Sequence, residues 1–169
     1  MGDEPPLLKH EPVSAGASQL LLPWVNQLLE QTGTSIKDLD VIAIGVGPGA
    51  FTGVRLGVAA VQGLAIARRI PVIPVASLDA IAAQLMYEEQ FISARPKQIV
   101  IAIDARMHEI YWAQYQVTDK ALPIRMGDIT LSKPEDLELE GIESLLVMGL
   151  KNMVIAYFQR AICYYLNLI

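Results

Sequence analysis

The chain has 169 residues, with 13 Lys and Arg against 18 Asp and Glu, a net charge of −5. That balance lacks the basic excess of a stand-alone nucleic-acid binder, and one cysteine, Cys163, excludes an internal disulfide and fits a reducing compartment. The start, Met1-Gly2-Asp3-Glu4-Pro5-Pro6, has neither the basic region nor the apolar core of a signal peptide, so the expected location is cytoplasmic and away from membranes. Hydrophobic content of 53% points to much buried or partner-covered surface.

Residues 1–17 are polar, proline-bearing and aperiodic, and read as a disordered arm. A first lobe is expected over 18–94. It opens with a helix over 18–31, with Leu21, Val25, Leu28 and Leu29 on one face and Gln27, Glu30 and Gln31 off it. Pro23 either begins its regular part or kinks it, and Gly33 ends it as a C-terminal cap. Ser35 to Asp38 reads as a turn or short helix ahead of an apolar strand, Val41-Ile42-Ala43-Ile44.

The strand runs into Gly45-Val46-Gly47-Pro48-Gly49-Ala50-Phe51-Thr52-Gly53. Gly45, Gly47, Pro48, Gly49 and Thr52 are expected to build a tight strand-to-helix turn, with Thr52 as the helix N-cap. The spacing Gly45-x-Gly47-x-x-Ala50 also fits a loose dinucleotide fingerprint, which leaves a Rossmann-like nucleotide-binding module as an alternative. Against it, Pro48 has no N–H to face a phosphate, no lysine follows the glycines, and no acid ends the next strand, Asp79 lying beyond the turn. A packing turn is the preferred reading.

From Gly53 to Arg69 the only polar residues are Arg55, Gln62, Arg68 and Arg69. The helix is therefore expected to be covered on more than one side, either as a central element of its own domain or by a partner docked on its second face, and it is too short, with arginines at both ends, to span a membrane. Gly53, Gly57, Ala60, Leu64 and Ala67 form a mostly small-residue stripe that would let another helix approach closely. A strand over Val72 to Val75 follows, then a helix from Leu78 to about Tyr87 capped by Ser77. Residues 88–96 are polar and mark the expected lobe boundary.

The second lobe is expected over 95–169. Ile99 to Ile103 is a continuous apolar run, hence a central strand covered on both faces. Asp104 to Glu109 turns the chain, and Ile110 to Val117 returns as an aromatic strand. Asp104 is expected to hydrogen-bond its own turn; the strand-Asp-turn-strand unit resembles the hairpin that opens each lobe of the actin-like fold, and that resemblance implies the alternative of an aspartate facing a phosphate. With Glu109, Asp104 gives only a weak hydrolase pair. Ile129-Thr130-Leu131 reads as a short strand, Ser132 as the cap of a helix toward Leu139, and Ser144 to Met148 as a strand. The segment 151–169 is an atypical apolar tail, dense in Ile, Tyr, Phe and Leu and expected as a helix.

Gly47-Pro48-Gly49-Ala50-Phe51-Thr52-Gly53-Val54-Arg55-Leu56-Gly57 resembles the signature of the TsaB (YeaZ) family, with Ala50 where serine is usual. Ile103-Asp104-Ala105-Arg106-Met107-His108-Glu109-Ile110-Tyr111-Trp112-Ala113 is similar to that family's second motif. The resemblance covers roughly Ser18 to Gly149. It implies an α/β, two-lobe, actin-like ATPase or ribonuclease-H-like fold, incomplete at both ends, since no opening hairpin precedes Ser18 and family members continue differently beyond Leu150.

It further implies a non-catalytic subunit. Such a subunit pairs with TsaD, joined by the ATPase TsaE, for threonylcarbamoylation of the adenosine adjacent to the tRNA anticodon, and touches tRNA only indirectly. Leu21, Val25, Leu28, Gly53, Gly57, Ala60, Leu64 and Ala67 are the interface residues this implies, either for the TsaD heterodimer or for a homodimer through the same helices. TsaD carries two metal-binding histidines on the corresponding helix. Aligned on Pro23, those positions are Ala17 and Leu21, neither of which ligates a metal. His10 and His108 are isolated, Cys163 has no histidine near it, and no Gly-x-Ser-x-Gly elbow occurs. No catalytic, metal or cofactor site is expected. Older family naming leaves a peptidase-like (glycoprotease family) enzyme as the alternative from another class.

Overall fold

The computed structural model describes residues 6–11, 16–118, 121–137, 139–140, 142, 144–148 and 162–164. The chain divides into two compact units, one through Val75 and one from Ala76 onward.

The first unit begins with α1 (Ala17–Gln31). Leu20, Leu21, Trp24, Val25, Leu28 and Leu29 are half-buried, while Gln27, Glu30 and Gln31 are exposed, which is the face the spacing predicts. Pro23 lies inside the helix rather than at its start. Gly33 has φ +63. Its N–H donates to Glu30 O at 3.1 Å, and the Thr34 N–H donates to Leu29 O at 2.9 Å. Two of the carbonyls left open at the helix end are thereby satisfied, the job that a left-handed glycine does at little cost.

A short 3-10 turn (Ile36–Asp38) follows. The Ser35 backbone N–H and hydroxyl both donate to Asp38 Oδ2, at 3.0 and 2.7 Å. The Ser35 hydroxyl, with its N–H, holds the Asp38 carboxyl below its ordinary range. The chain then runs through β1 (Ile42–Gly47), α2 (Phe51–Arg68) and β2 (Val72–Ala76). β1 and β2 are neighbours in a two-stranded sheet, entered where the Ile42 N–H donates to Pro71 O at 3.0 Å.

The second unit is a mixed sheet in the order β5-β4-β3-β6-β7. Its strands are β3 (Gln98–Arg106), β4 (Glu109–Thr118), β5 (Ala121–Ser132), β6 (Ser144–Met148) and β7 (Ile162–Tyr164). β4 pairs antiparallel with β3 and with β5. β6 lies parallel to β3, and β7 parallel to β6. β3 is the middle strand, and Ile99 to Ala102 are at most 1% exposed, as a continuous apolar run requires.

Period-two alternation splits the core in two. Ile99 and Ile101 pack with Ala113 and Tyr115 against Leu78, Ala82 and Leu85 of α3 (Ser77–Leu85) and Phe91 of α4 (Glu89–Ala94). On the other face Val100 and Ala102 join Ile110 and Trp112 under Leu137, Leu139 and Ile142.

Several local expectations are corrected. The helix expected to start after a Thr52 cap starts at Phe51 with Ala50 as N-cap, and no side chain caps it. Ser77 is likewise the first residue of α3 rather than its cap. Residues 88–96 contain the helix α4, because Phe91, 3% exposed, supplies an anchor in an otherwise polar stretch. Contacts divide at Val75 and Ala76 rather than at 88–96, since α3 packs on the sheet of the second unit.

β5 is twelve residues long, not three. Pro123 and Gly127 disguise it, yet both are tolerated on an edge strand, and Gly127 has φ +88. Instead of a helix capped by Ser132 there is a 3-10 turn, Pro134–Asp136, because the Ser132 hydroxyl accepts from Trp112 Nε1 at 3.0 Å. In the apolar tail, Ile162–Tyr164 form strand β7 rather than helix. The remainder of 151–169 lies outside the described residues, as does most of the 1–17 arm.

Candidate functional site

The glycine turn is built by β1 and α2. Gly47, the last residue of β1, is buried and has φ +90, and its peptide to Pro48 is cis. A Cβ at Gly47 would meet Gly49 N at 3.4 Å and Val54 Cγ2 at 3.6 Å. Gly49 also packs on Val54, where a Cβ would sit 3.8 Å from Cγ2. The first helical bond follows at once, from the Val54 N–H to Ala50 O at 3.0 Å. Val54 is thus the plug around which the turn closes, and Pro48 offers no N–H to a ligand. Gly45, Gly49 and Thr52 are exposed and Pro48 is half-buried.

The small-residue stripe does not behave as one surface. A Cβ on Gly57 would lie 3.0 Å from Ile44 Cδ1, so its smallness is already accounted for by the approach of α2 to β1. Ala60 and Leu64 are half-buried, and Gly53 and Ala67 are exposed. Leu21, Val25 and Leu28 are half-buried on α1.

The exposed line along α2 runs instead through Arg55, Ala59, Gln62, Gly63 and Ile66, at the three-and-four spacing of one helix face. Ile66 is 78% exposed and Phe51 67%. Arg55 Cζ stands 3.8 Å from the Phe51 ring centroid, a cation–π contact that covers part of an exposed ring. The stripe drawn from the sequence leaves out Ile66. Its place one helical turn beyond Gln62 and Gly63 is readable from the spacing, but an apolar residue in an apolar helix carries no signal of exposure.

In the second unit the Arg106 N–H donates to Asp104 Oδ1 at 2.7 Å. Arg106, Met107 and His108 all have left-handed φ, 65, 53 and 62, and Asp104 holds the entry to that turn. His108 is exposed at its tip, and His10 is exposed in the first unit. Cys163 lies on β7. Among the described residues no three His, Cys, Asp or Glu converge on a point that would hold a metal ion, and no helix is long and apolar enough to cross a membrane. Ala17 opens α1 and Leu21 follows one turn on.

A mixed sheet ordered 5-4-3-6-7, together with a separate strand–glycine turn–helix unit, defines an α/β protein of the actin-like, ribonuclease-H-like class. Residues 11–165 match the family described as TsaD, tRNA N6-adenosine threonylcarbamoyltransferase. The chain therefore belongs to this family, and within it to the TsaB (YeaZ) group, on the relatives that follow.

It is 41% identical over 99 residues to the tRNA threonylcarbamoyladenosine biosynthesis protein TsaB of Escherichia coli, covering 59% of this chain and 41% of the relative. It is 34% identical over 126 residues to the protein of the same name from Buchnera aphidicola of Acyrthosiphon pisum, covering 74% and 54%. The solved structure of YeaZ from Pseudomonas aeruginosa superimposes with a TM-score of 0.64 at 40% identity, over 77% of this chain and 59% of that one. The chain thus spans about half the length of the relatives it matches.

Proposed function

We propose that this chain acts as a non-catalytic partner subunit in the synthesis of threonylcarbamoyladenosine in tRNA. It pairs with TsaD, and TsaE joins the larger assembly. TsaD transfers the threonylcarbamoyl group to the adenosine adjacent to the anticodon, and this chain meets tRNA only through its partners. The work takes place in the cytoplasm. The names of the relatives support the pathway.

The observation that carries the partner reading is α2. It is apolar almost all round, yet exposes Ile66 at 78% beside Ala59 and Gly63. A helix that packs on β1 through Gly57 and still presents apolar and small residues outward is fitted for a second helix. Burial of that face would contribute about 25 cal/mol per Å2 of apolar area, offset by the cost of association. Gly53, Ala60, Leu64 and Ala67 share the side of α2 on which Gly57 packs against β1, so with Leu21, Val25 and Leu28 of α1 they would support the contact from behind. The same helices offer a homodimer when TsaD is absent.

The test is co-purification of the full chain with TsaD from the same source, sized by light scattering. A defined one-to-one complex is expected. Ile66→Asp should abolish capture while leaving the circular dichroism spectrum unchanged. A folded wild-type chain that fails to bind TsaD, or an Ile66→Asp variant that binds as well as wild type, overturns the proposal.

A further inference from the structure

Phe51, Arg55, Ala59, Gln62 and Ile66 of α2 are all exposed. Their three-and-four spacing keeps them on one side of the helix. The two ends of this line differ in chemistry, and about 16 Å of helix separates Arg55 from Ile66. At the C-terminal end stands Ile66, 78% exposed. At the N-terminal end Arg55 Cζ lies 3.8 Å from the centroid of the Phe51 ring, itself 67% exposed. The ring covers one side of the guanidinium and leaves the N–H donors around its rim. A cation already held by a ring loses less freedom when it takes a carboxylate. Among the described residues no carboxylate forms an ion pair with Arg55.

The charges on the helices decide what fits. The chain as a whole carries −5, yet from Phe51 to Arg69 it holds three arginines, Arg55, Arg68 and Arg69, and no Asp or Glu. The single charged side chain of α1 is Glu30, which lies with Gln27 and Gln31 off its apolar face. A second copy docked through α2 would therefore bring arginines, and no acid, toward Arg55. The N-terminus of α2, one turn before Arg55, favours negative charge as well.

We infer that this face selects a heterologous helix, one that sets a carboxylate on Arg55 and an apolar side chain on Ile66, over a second copy of this chain. The inference rests on the pairing with TsaD proposed above and adds to it the chemistry of the docked helix.

The experiment titrates the full chain with TsaD from the same source and follows self-association of the chain alone by sedimentation. Wild type, Arg55→Gln, Arg55→Glu and Ile66→Asp are compared, with circular dichroism to show that each is folded. Arg55→Glu should weaken TsaD binding about ten-fold or more, and Arg55→Gln several-fold. Added salt should weaken the wild type more than Arg55→Gln, because the variant has no charge there to screen. Self-association should be unchanged or strengthened by both Arg55 variants, since a second copy offers the guanidinium no acid. Arg55→Gln removes the charge without reversing it and keeps the test open where Arg55→Glu does not fold. Loss of TsaD binding in Ile66→Asp but in neither Arg55 variant overturns the acidic helix and leaves the docking face standing. Arg55 variants that weaken self-association as much as TsaD binding overturn the selection against a second copy. A folded wild-type chain that does not bind TsaD overturns the pairing and this inference together.

Discussion

The Tyr115 hydroxyl donates to Asp79 Oδ1 at 2.8 Å, and Arg125 Nε lies 3.4 Å from the same oxygen. Tyr115 is 1% exposed, so this bond fastens α3 to the centre of β4 from inside the core. Arg125 is opposite Tyr115 in the β4–β5 register, and the ion pair is about one-third exposed. Tyr115→Phe should cost about 1 kcal/mol, the net worth of one hydrogen bond, because Asp79 keeps Arg125. Asp79→Ala should cost more, about 1–3 kcal/mol, because it strands a buried hydroxyl. Urea unfolding of both variants checks the order. Equal costs would mean that the hydroxyl finds another partner when Asp79 is removed.

The same pair sets an alkaline limit. Burial first, then the bond to Asp79 and its negative charge, push the Tyr115 phenol well above its ordinary value. The folded state therefore favours the neutral phenol more than the unfolded chain does. Its contribution to stability is fully present below about pH 10, the unfolded value, and declines as pH rises above that. Stability measured from pH 8 to pH 11 should fall more steeply at the upper end for the wild type than for Tyr115→Phe. Parallel curves would show that Tyr115 ionises as freely in the folded chain as in the unfolded one.

Two glycines of α2 should respond differently to the same substitution. Around Gly63 a Cβ meets nothing within 4 Å, so Gly63→Ala should stabilise by about 0.5–1 kcal/mol through helix propensity alone. At Gly57 the new methyl would come within 3.0 Å of Ile44 Cδ1. The strand side chain must shift, and much of the propensity gain is lost. Chemical denaturation should place Gly63→Ala above Gly57→Ala, and Gly57→Leu below wild type. A Gly57→Leu variant as stable as the wild type would mean that α2 does not pack on β1 through this residue.

What can be read from the sequence is what depends on local pattern. The Ile99 to Ile103 run announces a central strand because a strand covered on both faces needs apolar residues without alternation. The glycine turn and its helix follow from residues that only a sharp strand-to-helix turn requires. α1 and its Gly33 end are legible for the same reason.

What stays hidden depends on distant partners. β5 looks short because Pro123 and Gly127 argue against a central strand, and nothing local says that this strand is an edge. Helix α4 escapes the pattern because one buried anchor, Phe91, outweighs four polar or small neighbours and an exposed Ile92. Gly57 reads as part of a partner-facing stripe because a small residue looks the same whether a strand or another protein approaches it. Asp79 stands out in the sequence only for its position after β2, since its bond to Tyr115 spans 36 residues.

The last prediction separates backbone need from packing at the turn. Gly47 has φ +90, and a Cβ there would meet the Gly49 backbone nitrogen at 3.4 Å. Gly49 has no such φ, and a Cβ there would make an ordinary 3.8 Å contact with Val54. Gly47→Ala should therefore cost about 1–2 kcal/mol from the left-handed backbone, with more from the close nitrogen. Gly49→Ala should cost well under that.

The loss should be local. Amide hydrogen exchange should quicken in β1 and α2 of the Gly47→Ala variant while β3 and β4, in the other unit, keep their protection. Faster exchange in both units alike would mean that the two unfold as one cooperative body, and the turn would then stabilise the whole chain rather than the unit it closes.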